Sequence, residues 1–245
     1  MRVLIDAGNS RVKWTWHDGV APFTVRAVDS MDVAAMDASA LARAWRAATS
    51  ASYACVAGDG VDAMIRAALP AGCAAHRVRA ARACCGITNF YAEPTQLGAD
   101  RWLAVIGARA LHAGPLIVAT AGTATTVDAL DADDRFLGGY ILPGLQLMLE
   151  SLARNTAGLP LARGKVAQWP RNTDDAIHSA CVDAQAALIE RAREQLGDDA
   201  TVLLSGGAAG QIAPRLRCPF TVADHLVLQG LIRFHESGAA PDVVK

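Results

Sequence analysis

Short apolar runs that end at small polar residues alternate along this sequence with segments of helical periodicity. Two of these runs are each followed by a glycine turn and a second β-prone run, which predicts hairpins over 2–17 and 116–130. Further strands are predicted at 24–27, 53–57 and 201–204. Apolar residues at helical spacing predict helices at 37–49, 61–69, 99–112, 144–154, 174–196 and 224–236. This alternation is typical of an α/β protein.

The intervals between these elements indicate where the chain divides. Residues 86–98 lack either periodicity and are predicted to form a loop, and the glycines at 138–139 are predicted to lie in a connection. The pair Gly114–Pro115 interrupts the chain just before the second hairpin, so we place a boundary there, between a half at 1–114 and a half at 115–245. No low-complexity linker separates the halves, and we expect them to pack closely with a cleft between them.

The two predicted hairpins carry related turns. They are Asp6-Ala7-Gly8-Asn9-Ser10 and Thr120-Ala121-Gly122-Thr123-Ala124. Backbone N–H groups and small hydroxyl side chains in such turns are open to close approach by a polyphosphate, because no bulky side chain stands before them. Two such turns suggest a duplicated fold that holds a nucleotide from both sides. The sequence contains neither GxxxxGK[ST] nor GxGxxG, so these turns are the candidate phosphate sites.

Composition narrows the class of protein. The 245 residues carry a formal net charge of −1 and 52% of them are hydrophobic, which disfavours broad attraction to nucleic acid or anionic lipid. Asp6 interrupts the first apolar run, unlike the pattern of a signal peptide. The uncharged stretch at 136–149 is shorter than the roughly 20 residues of a spanning helix. We therefore expect a cytoplasmic protein that binds neither nucleic acid nor a membrane.

The six cysteines show neither CxxC spacing nor histidine partners at zinc spacing, so they are expected to be reduced thiols. The adjacent Cys84 and Cys85 are the most unusual pair. Their ordinary explanation is two small, buried side chains at a strand edge.

Two carboxylates are candidates for chemistry. Asp6 lies where the first strand meets its turn, and it either holds Mg²⁺ beside bound phosphates, directly or through water, or caps its own turn. Asp100 begins a helix directly after Gly98 and Ala99, where it is either a helix cap or a group that orients a substrate hydroxyl. In the second case the neighbouring Arg101 would bind a substrate carboxylate.

Two further segments also have structural explanations. Thr173 precedes two acidic residues at the head of the long helix, a pattern typical of an N-cap. Ser205, Gly206 and Gly207 follow a buried strand, where they either let a nucleoside lie flat on the backbone or form a tight turn. Neither segment indicates a function by itself.

Four motifs in order resemble those of the type III pantothenate kinases, a family of the acetate and sugar kinase, Hsp70 and actin superfamily. The motifs are 6–14, 98–102, 121–126 and 138–144, and the resemblance spans almost the whole chain. It implies two tandem ribonuclease H-like (actin-like ATPase) domains with an interdomain nucleotide cleft. It also implies that a homodimer phosphorylates the 4′-hydroxyl of pantothenate with ATP, the first step of coenzyme A biosynthesis.

The resemblance assigns roles to individual residues. Asp100 is implied to be the general base, and Asp6 stays the candidate Mg²⁺ ligand. ATP contacts are implied for Asp6, Ala7, Gly8, Asn9, Ser10, Arg11, Val12, Lys13, Gly122 and Thr123. Pantothenate contacts are implied for Tyr91, Gly98, Ala99, Asp100 and Arg101, and for Thr173, which would reach the substrate across a dimer interface.

One position departs from the family pattern. Family members that bind K⁺ or NH₄⁺ commonly carry Asp immediately before the second turn, where this chain has Thr120. A hydroxyl is a poorer ligand for a monovalent cation than a carboxylate, so activation by K⁺ or NH₄⁺ is disfavoured here unless another ligand serves.

Two other functions are compatible with parts of the pattern. A kinase or phosphatase of the same superfamily acting on another small molecule would share the fold, but the motif at 98–102 favours pantothenate. A non-catalytic regulator is the other alternative. It would need a basic face or recognition helix if it bound DNA, and the sequence shows neither.

Overall fold

The computed structural model describes residues 1–18, 25 and 27–238, and its contacts divide the chain into two compact units. The first unit contains Met1–His112, Asp134–Phe136 and the segment that begins at His225. The second unit contains Ala113–Asp133 and Leu137–Asp224. The break near residue 113 falls where the Gly-Pro pair interrupts the sequence. However, the compact units are not two consecutive halves, because the last helix returns to the first unit.

The first unit is built on a five-stranded mixed sheet. Its strands are β1 (Arg2–Ala7), β2 (Arg11–His17), β3 (Asp29–Asp32), β4 (Ser50–Cys55) and β5 (Ala74–Arg77), in the spatial order β3-β2-β1-β4-β5. β1 pairs antiparallel with β2 and parallel with β4. Val3, Leu4 and Ile5 are fully buried, as expected for a central strand covered on both faces.

Three helices and a small hairpin complete the N-terminal part of this unit. They are α1 (Ala38–Trp45), α2 (Asp59–Ala68), the strands β6 (Ala83–Cys84) and β7 (Ile87–Asn89), and α3 (Ala99–Leu111). α1 begins at Asp37, whose carboxylate accepts hydrogen bonds from two backbone N–H groups of the first turn, and it buries Leu41 and Trp45 against the sheet. An N-cap and an apolar stripe together explain this helix.

The second unit repeats the same sheet. Its strands are β8 (Leu116–Ala121), β9 (Ala124–Leu130), β10 (Arg135–Pro143), β11 (Thr201–Ser205) and β12 (Phe220–Val222), in the order β12-β11-β8-β9-β10. β8 pairs antiparallel with β9 and parallel with β11. The order of these five strands therefore corresponds to that of the first sheet, and the β8–β9 and β8–β11 pairs have the same relative directions as β1–β2 and β1–β4. The first two residues of β10 belong to the first unit, where they pair with β7.

Helices α4 (Leu145–Asn155), α5 (Thr173–Leu196) and the short α6 (Ala209–Ile212) complete the second unit. α5 packs against β8 and β9 and contributes Ala186, Ile189 and Ala192 to the buried core of this unit. None of the helices in the described part of the chain is long and apolar enough to span a membrane.

The last helix, α7 (Leu226–Glu236), packs against α3 in the first unit. The two helices approach closely at glycines. A Cβ at Gly107 would lie 2.2 Å from the Leu226 carbonyl oxygen, and a Cβ at Gly230 would lie 2.0 Å from that of Leu103. Because any larger side chain would separate the backbones, these glycines fix α3 against α7, and with it the polar first turn of α3.

The structure confirms the α/β class and most predicted elements, including both hairpins and all six long helices. Two connections were predicted wrongly. The predicted loop at 86–98 contains β7, and the glycines at 138–139 lie within β10. Residues 24 and 26 of the strand predicted at 24–27 lie outside the described part of the chain, residues 25 and 27 are not in a strand, and β3 follows at Asp29–Asp32.

Candidate active site

The first glycine turn joins β1 to β2. Ala7 pairs with Val12 across the hairpin, and the Gly8 N–H donates to the Arg11 carbonyl oxygen at 3.0 Å. Asn9 and Ser10 are exposed at the tip. Small exposed residues on a rigid hairpin are what a phosphate-binding turn requires.

Two carboxylates and an ammonium group lie close together beside this turn. Lys13 is the cross-strand neighbour of Asp6. Burial raises the pKa of the Asp6 carboxyl to about 6, the positive charge of Lys13 opposes that rise, and the charge of Asp100 adds to it. The fold thus brings Asp100, from the first turn of α3, within electrostatic reach of Asp6.

These groups suit a divalent cation. A carboxylate whose ionisation is disfavoured by burial and by a second carboxylate is stabilised when a cation binds. Within residues 1–18, 25 and 27–238, no three His, Cys, Asp or Glu side chains are arranged to hold a metal by themselves. Mg²⁺ in phosphoryl-transfer sites usually uses one or two carboxylates together with substrate phosphates, so the donor set at Asp6 fits Mg²⁺ bound with ATP.

The first turn of α3 shows that Asp100 is not the N-cap. The cap residue is Gly98. The Asp100 carboxylate accepts a hydrogen bond from the Arg101 N–H at 2.8 Å, and a Cβ at Gly98 would lie 2.6 Å from Asp100 Oδ1. Gly98 and Ala99 therefore leave space in which this half-buried carboxylate sits over the helix end.

Arg101 and Tyr91 form a second polar group in the same unit. The buried Arg101 guanidinium donates to the Tyr91 hydroxyl at 2.8 Å and lies 5.6 Å from the centre of its ring. Asn89 holds Tyr91 in place, because its side-chain oxygen accepts the Tyr91 N–H at 3.0 Å while its amide donates to the Ala81 carbonyl oxygen. Sequence reasoning missed Asn89, because the segment at 86–98 was predicted to be a loop, and its burial at the end of β7 is visible only in the structure.

The other residues predicted to bind ATP at the first turn differ in how far they are buried. Val12 is fully buried in the core of the unit and Ala7 is almost fully buried. The Ala7 carbonyl oxygen accepts the Val56 N–H at 3.0 Å. Arg11 forms an exposed ion pair with Asp32 at 3.0 Å. The side chains of Ala7 and Val12 are therefore not open to a ligand, and these two residues support the turn that would bind it.

The second glycine turn joins β8 to β9 and is one residue shorter. Only Gly122 and Thr123, both exposed, lie between these strands. The Gly144 N–H donates to the Thr123 carbonyl oxygen at 2.9 Å, and a Cβ at Gly144 would lie 2.1 Å from the Gly122 carbonyl oxygen. The start of α4 thus rests directly on this turn.

An open pocket of about 420 Å³ lies beside the second turn, within the second unit. Its lining includes Gly122, Gln146, His178, Gly207, Ala208 and Gln211. The buried Nδ1 atom of His178 has no hydrogen-bond partner. Gly206 adopts φ +98°, and a Cβ there would lie 2.3 Å from the Ala121 carbonyl oxygen. The segment at 205–207 is therefore a constrained turn that also forms part of a pocket wall.

Thr173 is the first residue of α5 and is exposed, but it is not the N-cap that the sequence predicts. Asn172 is the cap, and its side-chain oxygen accepts the Asp175 N–H at 2.8 Å. Asp174 and Asp175 accept hydrogen bonds from the backbone N–H groups of Arg163 and Lys165. The side chains of Asp174 and Asp175 thus hold the loop before α5 against the start of this helix. Thr173, between Asn172 and Asp174, stays exposed to solvent.

Thr120 occupies the position before the second turn. Its side-chain oxygen is buried and has no hydrogen-bond partner, and its cross-strand neighbour is Thr126. The fold therefore places Thr120 where the first unit has Asp6, one residue before the Ala-Gly pair.

Solved structures share this fold at low sequence identity. A conserved protein from Campylobacter jejuni, described as a Baf family transcriptional activator, aligns with a TM-score of 0.64 at 16% identity over 96% of this chain and 98% of its own. A protein from Sinorhizobium meliloti described as a 2-dehydro-3-deoxygalactonokinase aligns with a TM-score of 0.61 at 15% identity over 94% of this chain and 97% of its own. Together with the repeated sheet, these likenesses define the class, a two-domain ribonuclease H-like fold of the actin-like ATPases and sugar kinases.

Sequence comparison identifies the family within that class. The profile of the type III pantothenate kinase family matches residues 2–195. Type III pantothenate kinases from Dechloromonas aromatica and Aromatoleum aromaticum are each 48% identical to this chain over 94% of its length, and the matches cover 97% and 96% of those proteins. The chain belongs to the type III pantothenate kinase family, and it is a kinase.

Proposed function

We propose that this chain transfers the γ-phosphoryl group of ATP to the 4′-hydroxyl of pantothenate, the first step of coenzyme A biosynthesis, with Asp100 as the general base. The observation that carries the proposal is the match of residues 2–195 to the type III pantothenate kinase family, in a fold that places Asp6 at the end of β1 before the first glycine turn and Asp100 in the first turn of α3. A carboxylate that accepts a proton and a carboxylate that binds a metal must lie near one transferred phosphoryl group.

Arg101 and Tyr91 are proposed to bind the acceptor. Pantothenate carries a carboxylate, and a buried guanidinium is the strongest side-chain partner for that group. The Tyr91 hydroxyl at 2.8 Å fixes the direction of the guanidinium before substrate arrives. Gly98 and Ala99 would let the substrate chain lie against backbone, next to the Asp100 carboxylate.

The chemical step is proposed to proceed with late proton transfer. An aliphatic alcohol is far too weak an acid for a carboxylate to deprotonate in the ground state, so Asp100 first orients the hydroxyl and takes its proton as the O–P bond forms. The Gly8 and Gly122 N–H groups close their own turns, because they donate to the carbonyl oxygens of Arg11 and Ala124. Charge on the phosphate oxygens is stabilised by the remaining N–H groups at the tips, at Asn9–Ser10 and Thr123, with Lys13. Mg²⁺, when bound with ATP at Asp6, supplies the additional positive charge that the phosphates require.

We propose that the kinase activity of this chain depends little on K⁺ or NH₄⁺. The residue before the second turn is Thr120 rather than a carboxylate, and its hydroxyl supplies at most one neutral oxygen. A K⁺ or NH₄⁺ ion would need other oxygen ligands at this place. We therefore expect the activity in Na⁺ and K⁺ buffers of equal ionic strength to be similar.

A cytoplasmic homodimer is proposed as the working form. β10 presents exposed apolar side chains, with Leu137 47%, Tyr140 42% and Ile141 63% exposed. Exposed apolar side chains on a strand are a common mark of an association surface. An interface of this kind could bring the exposed Thr173 of one copy to the acceptor site of another.

All six cysteines are thiols, which agrees with a reducing compartment.

An acceptor panel tests the proposed function. ADP release would be measured with Mg-ATP and pantothenate, sugars or glycerol in turn, in K⁺ and in Na⁺ buffer. We expect ADP release that depends on pantothenate and barely on the cation. Release that is equal for every acceptor, or that needs a sugar, would assign the chain to another activity of this fold.

A further inference from the structure

The β6–β7 hairpin carries two adjacent cysteines in a strained turn. Cys84 pairs with Ile87, which leaves Cys85 and Gly86 as a two-residue loop. Their φ angles are +54° and +84°. Positive φ at both loop residues is the signature of a type I′ turn, in which Asn, Asp or Gly normally precedes Gly. A cysteine in the left-handed region of backbone angles lowers the stability of the fold by roughly 1 to 2 kcal/mol. The backbone conformation at residue 85 is therefore unfavourable for a cysteine.

The two sulfur atoms are close to each other and to the end of α7. Cys84 Sγ and Cys85 Sγ are 3.3 Å apart, and both residues are partly exposed. Cys85 Sγ lies 3.4 Å from the Ser237 hydroxyl oxygen and 3.7 Å from the Arg233 carbonyl oxygen. Neither thiol has a part in the proposed phosphoryl transfer.

The surroundings of Cys85 favour its thiolate. The pKa of Cys85 is lowered to about 6, first by the hydrogen bond from the Cys84 thiol and then by Ser237 and the positive charge of Arg233, while burial and the charge of Glu236 oppose this decrease. Burial has the reverse effect on four other cysteines, because it raises the pKa of Cys55, Cys73, Cys181 and Cys218. Cys85 therefore differs from those thiols in being both partly exposed and ionised near neutral pH.

We propose that Cys85 and Cys84 form a reversible oxidation site for hydroperoxides. The Cys85 thiolate attacks the terminal oxygen of the hydroperoxide, the O–O bond breaks, and the departing alkoxide takes a proton from water, which leaves Cys85 as a sulfenic acid. The Cys84 sulfur then attacks the Cys85 sulfur, the S–OH bond breaks, and water leaves with the thiol proton. Two thiols lose two electrons, and one hydroperoxide is reduced to an alcohol and water.

Geometry makes the resulting disulfide easy to reverse. Adjacent Cα atoms across a trans peptide are about 3.8 Å apart, whereas disulfides usually join Cα atoms about 4.4 to 6.8 Å apart. A bond between neighbouring cysteines is therefore strained and readily reduced. Two molecules of an external thiol restore Cys84 and Cys85 and leave as one disulfide.

Alkylation and peptide mass measurement test the proposal on the whole folded protein. Tryptic cleavage after Arg82 and Arg101 yields peptide 83–101, which contains Cys84 and Cys85 and no other cysteine. At pH 7 a limiting amount of iodoacetamide should modify Cys85 before Cys73. After treatment with hydrogen peroxide, this peptide should lose about 2 Da, resist alkylation, and regain both thiols with a small thiol reductant. Faster alkylation of Cys73, or oxidation elsewhere while both thiols of the peptide stay alkylatable, would overturn the proposal.

Variants separate the two steps. Cys84→Ser should stop at the sulfenic acid of Cys85, which dimedone traps, while Cys85→Ser should give neither dimedone adduct nor disulfide. Cys73→Ser is the matched control and should oxidise like the original protein. A Cys84→Ser protein that shows no dimedone adduct at residue 85 would contradict the assignment of Cys85 as the attacking thiol. Cys85→Asn suits the turn, so it should remain folded and should raise the free energy of unfolding by about 1 kcal/mol.

Discussion

The two glycine turns occupy corresponding places in two sheets of the same strand order, yet they differ in charge. In the first unit the residue before Ala-Gly is Asp6, and Lys13 lies across the hairpin. In the second unit the corresponding pair is Thr120 and Thr126, which are uncharged. The hydrogen bonds that support the two turns are alike, since Ala7 accepts from the Val56 N–H and Ala121 from the Ala208 N–H.

Under the proposed function, the two turns of this repeated sheet have different roles. Beside the first turn, the charge of Asp100 adds to the rise in the pKa of Asp6, and proteins keep so costly an arrangement where it serves chemistry. The second turn is shorter, uncharged and supported by the start of α4. We infer that the second turn binds phosphate through its backbone alone, while the first turn also supplies the groups that act on the phosphoryl group.

The largest expected effect comes from removing the proposed base. Asp100→Asn should lower kcat by about 10² to 10⁴-fold, because proton transfer contributes that much, with little change in the KM for ATP. Steady-state kinetics with ATP and pantothenate varied separately would measure both constants.

A matched control separates this role from helix stabilisation. Asp59 is an exposed carboxylate in the first turn of α2, in the same unit. Asp59→Asn removes an acidic residue from a helix start as Asp100→Asn does, and kcat should stay unchanged. Equal activity of the two variants would remove Asp100 from the mechanism.

The turns that follow the parallel strands allow a second comparison. Gly58 and Gly206 both have positive φ, but a Cβ at Gly58 would meet nothing within 4 Å, whereas one at Gly206 would lie 2.3 Å from the Ala121 carbonyl oxygen. Gly58→Ala should cost about 1 to 3 kcal/mol of unfolding free energy through its backbone angles alone. Gly206→Ala should cost about 1 to 3 kcal/mol more through the clash. Urea unfolding measures both, and equal losses would refute the close packing of the second turn.

Replacing Asp6 should stabilise the protein while it removes activity. Because the folded-state pKa is raised to about 6 from 3.8, the ionised carboxylate lowers the stability of the metal-free protein as pH rises from about 4 through 6. Asp6→Asn should therefore be more stable than the original protein by up to about 3 kcal/mol above pH 7. The difference should shrink as pH falls to about 4. Thermal unfolding of both proteins in EDTA at several pH values measures this difference in stability. A difference that does not change with pH would contradict the burial of the Asp6 charge.

The converse change would make the second turn resemble the first. Thr120→Asp adds a partly buried carboxylate opposite Thr126, without the lysine that faces Asp6. It should cost about 1 to 2 kcal/mol near pH 8, and K⁺ should restore part of this loss in the variant but not in the original protein. Thermal unfolding in matched K⁺ and Na⁺ buffers measures the effect, and an equal response of both proteins would exclude a cation site at residue 120.

Much of the fold could be predicted from the sequence because local signals agree with the final structure. Both hairpins have apolar strands and small turns, and the helices have apolar stripes. The features that were missed depend on distant contacts. Gly139 looks like part of a connection, but within β10 it lets the strand approach the Val127 carbonyl oxygen, 2.2 Å from where a Cβ would be. The return of α7 to the first unit depends on Gly107 and Gly230, which no local pattern connects.

The candidate site was predictable in its residues but not in its geometry. Sequence patterns indicate Asp6, Asp100 and Arg101 as candidates. They do not show that Gly98 rather than Asp100 caps α3, that Asn172 rather than Thr173 caps α5, or that Asn89 holds Tyr91. Those relations arise from side-chain hydrogen bonds between segments, and periodicity and spacing do not encode them.

The product itself tests the central claim most directly. The protein would be mixed with Mg-ATP and pantothenate, and the product examined by phosphorus–proton correlation NMR. We predict one phosphate monoester whose phosphorus couples to the protons of the 4′-methylene group, formed together with ADP in equal amount. ADP accompanied only by inorganic phosphate, or a phosphate on another atom of pantothenate, would contradict the proposed transfer to the 4′-hydroxyl at Asp100.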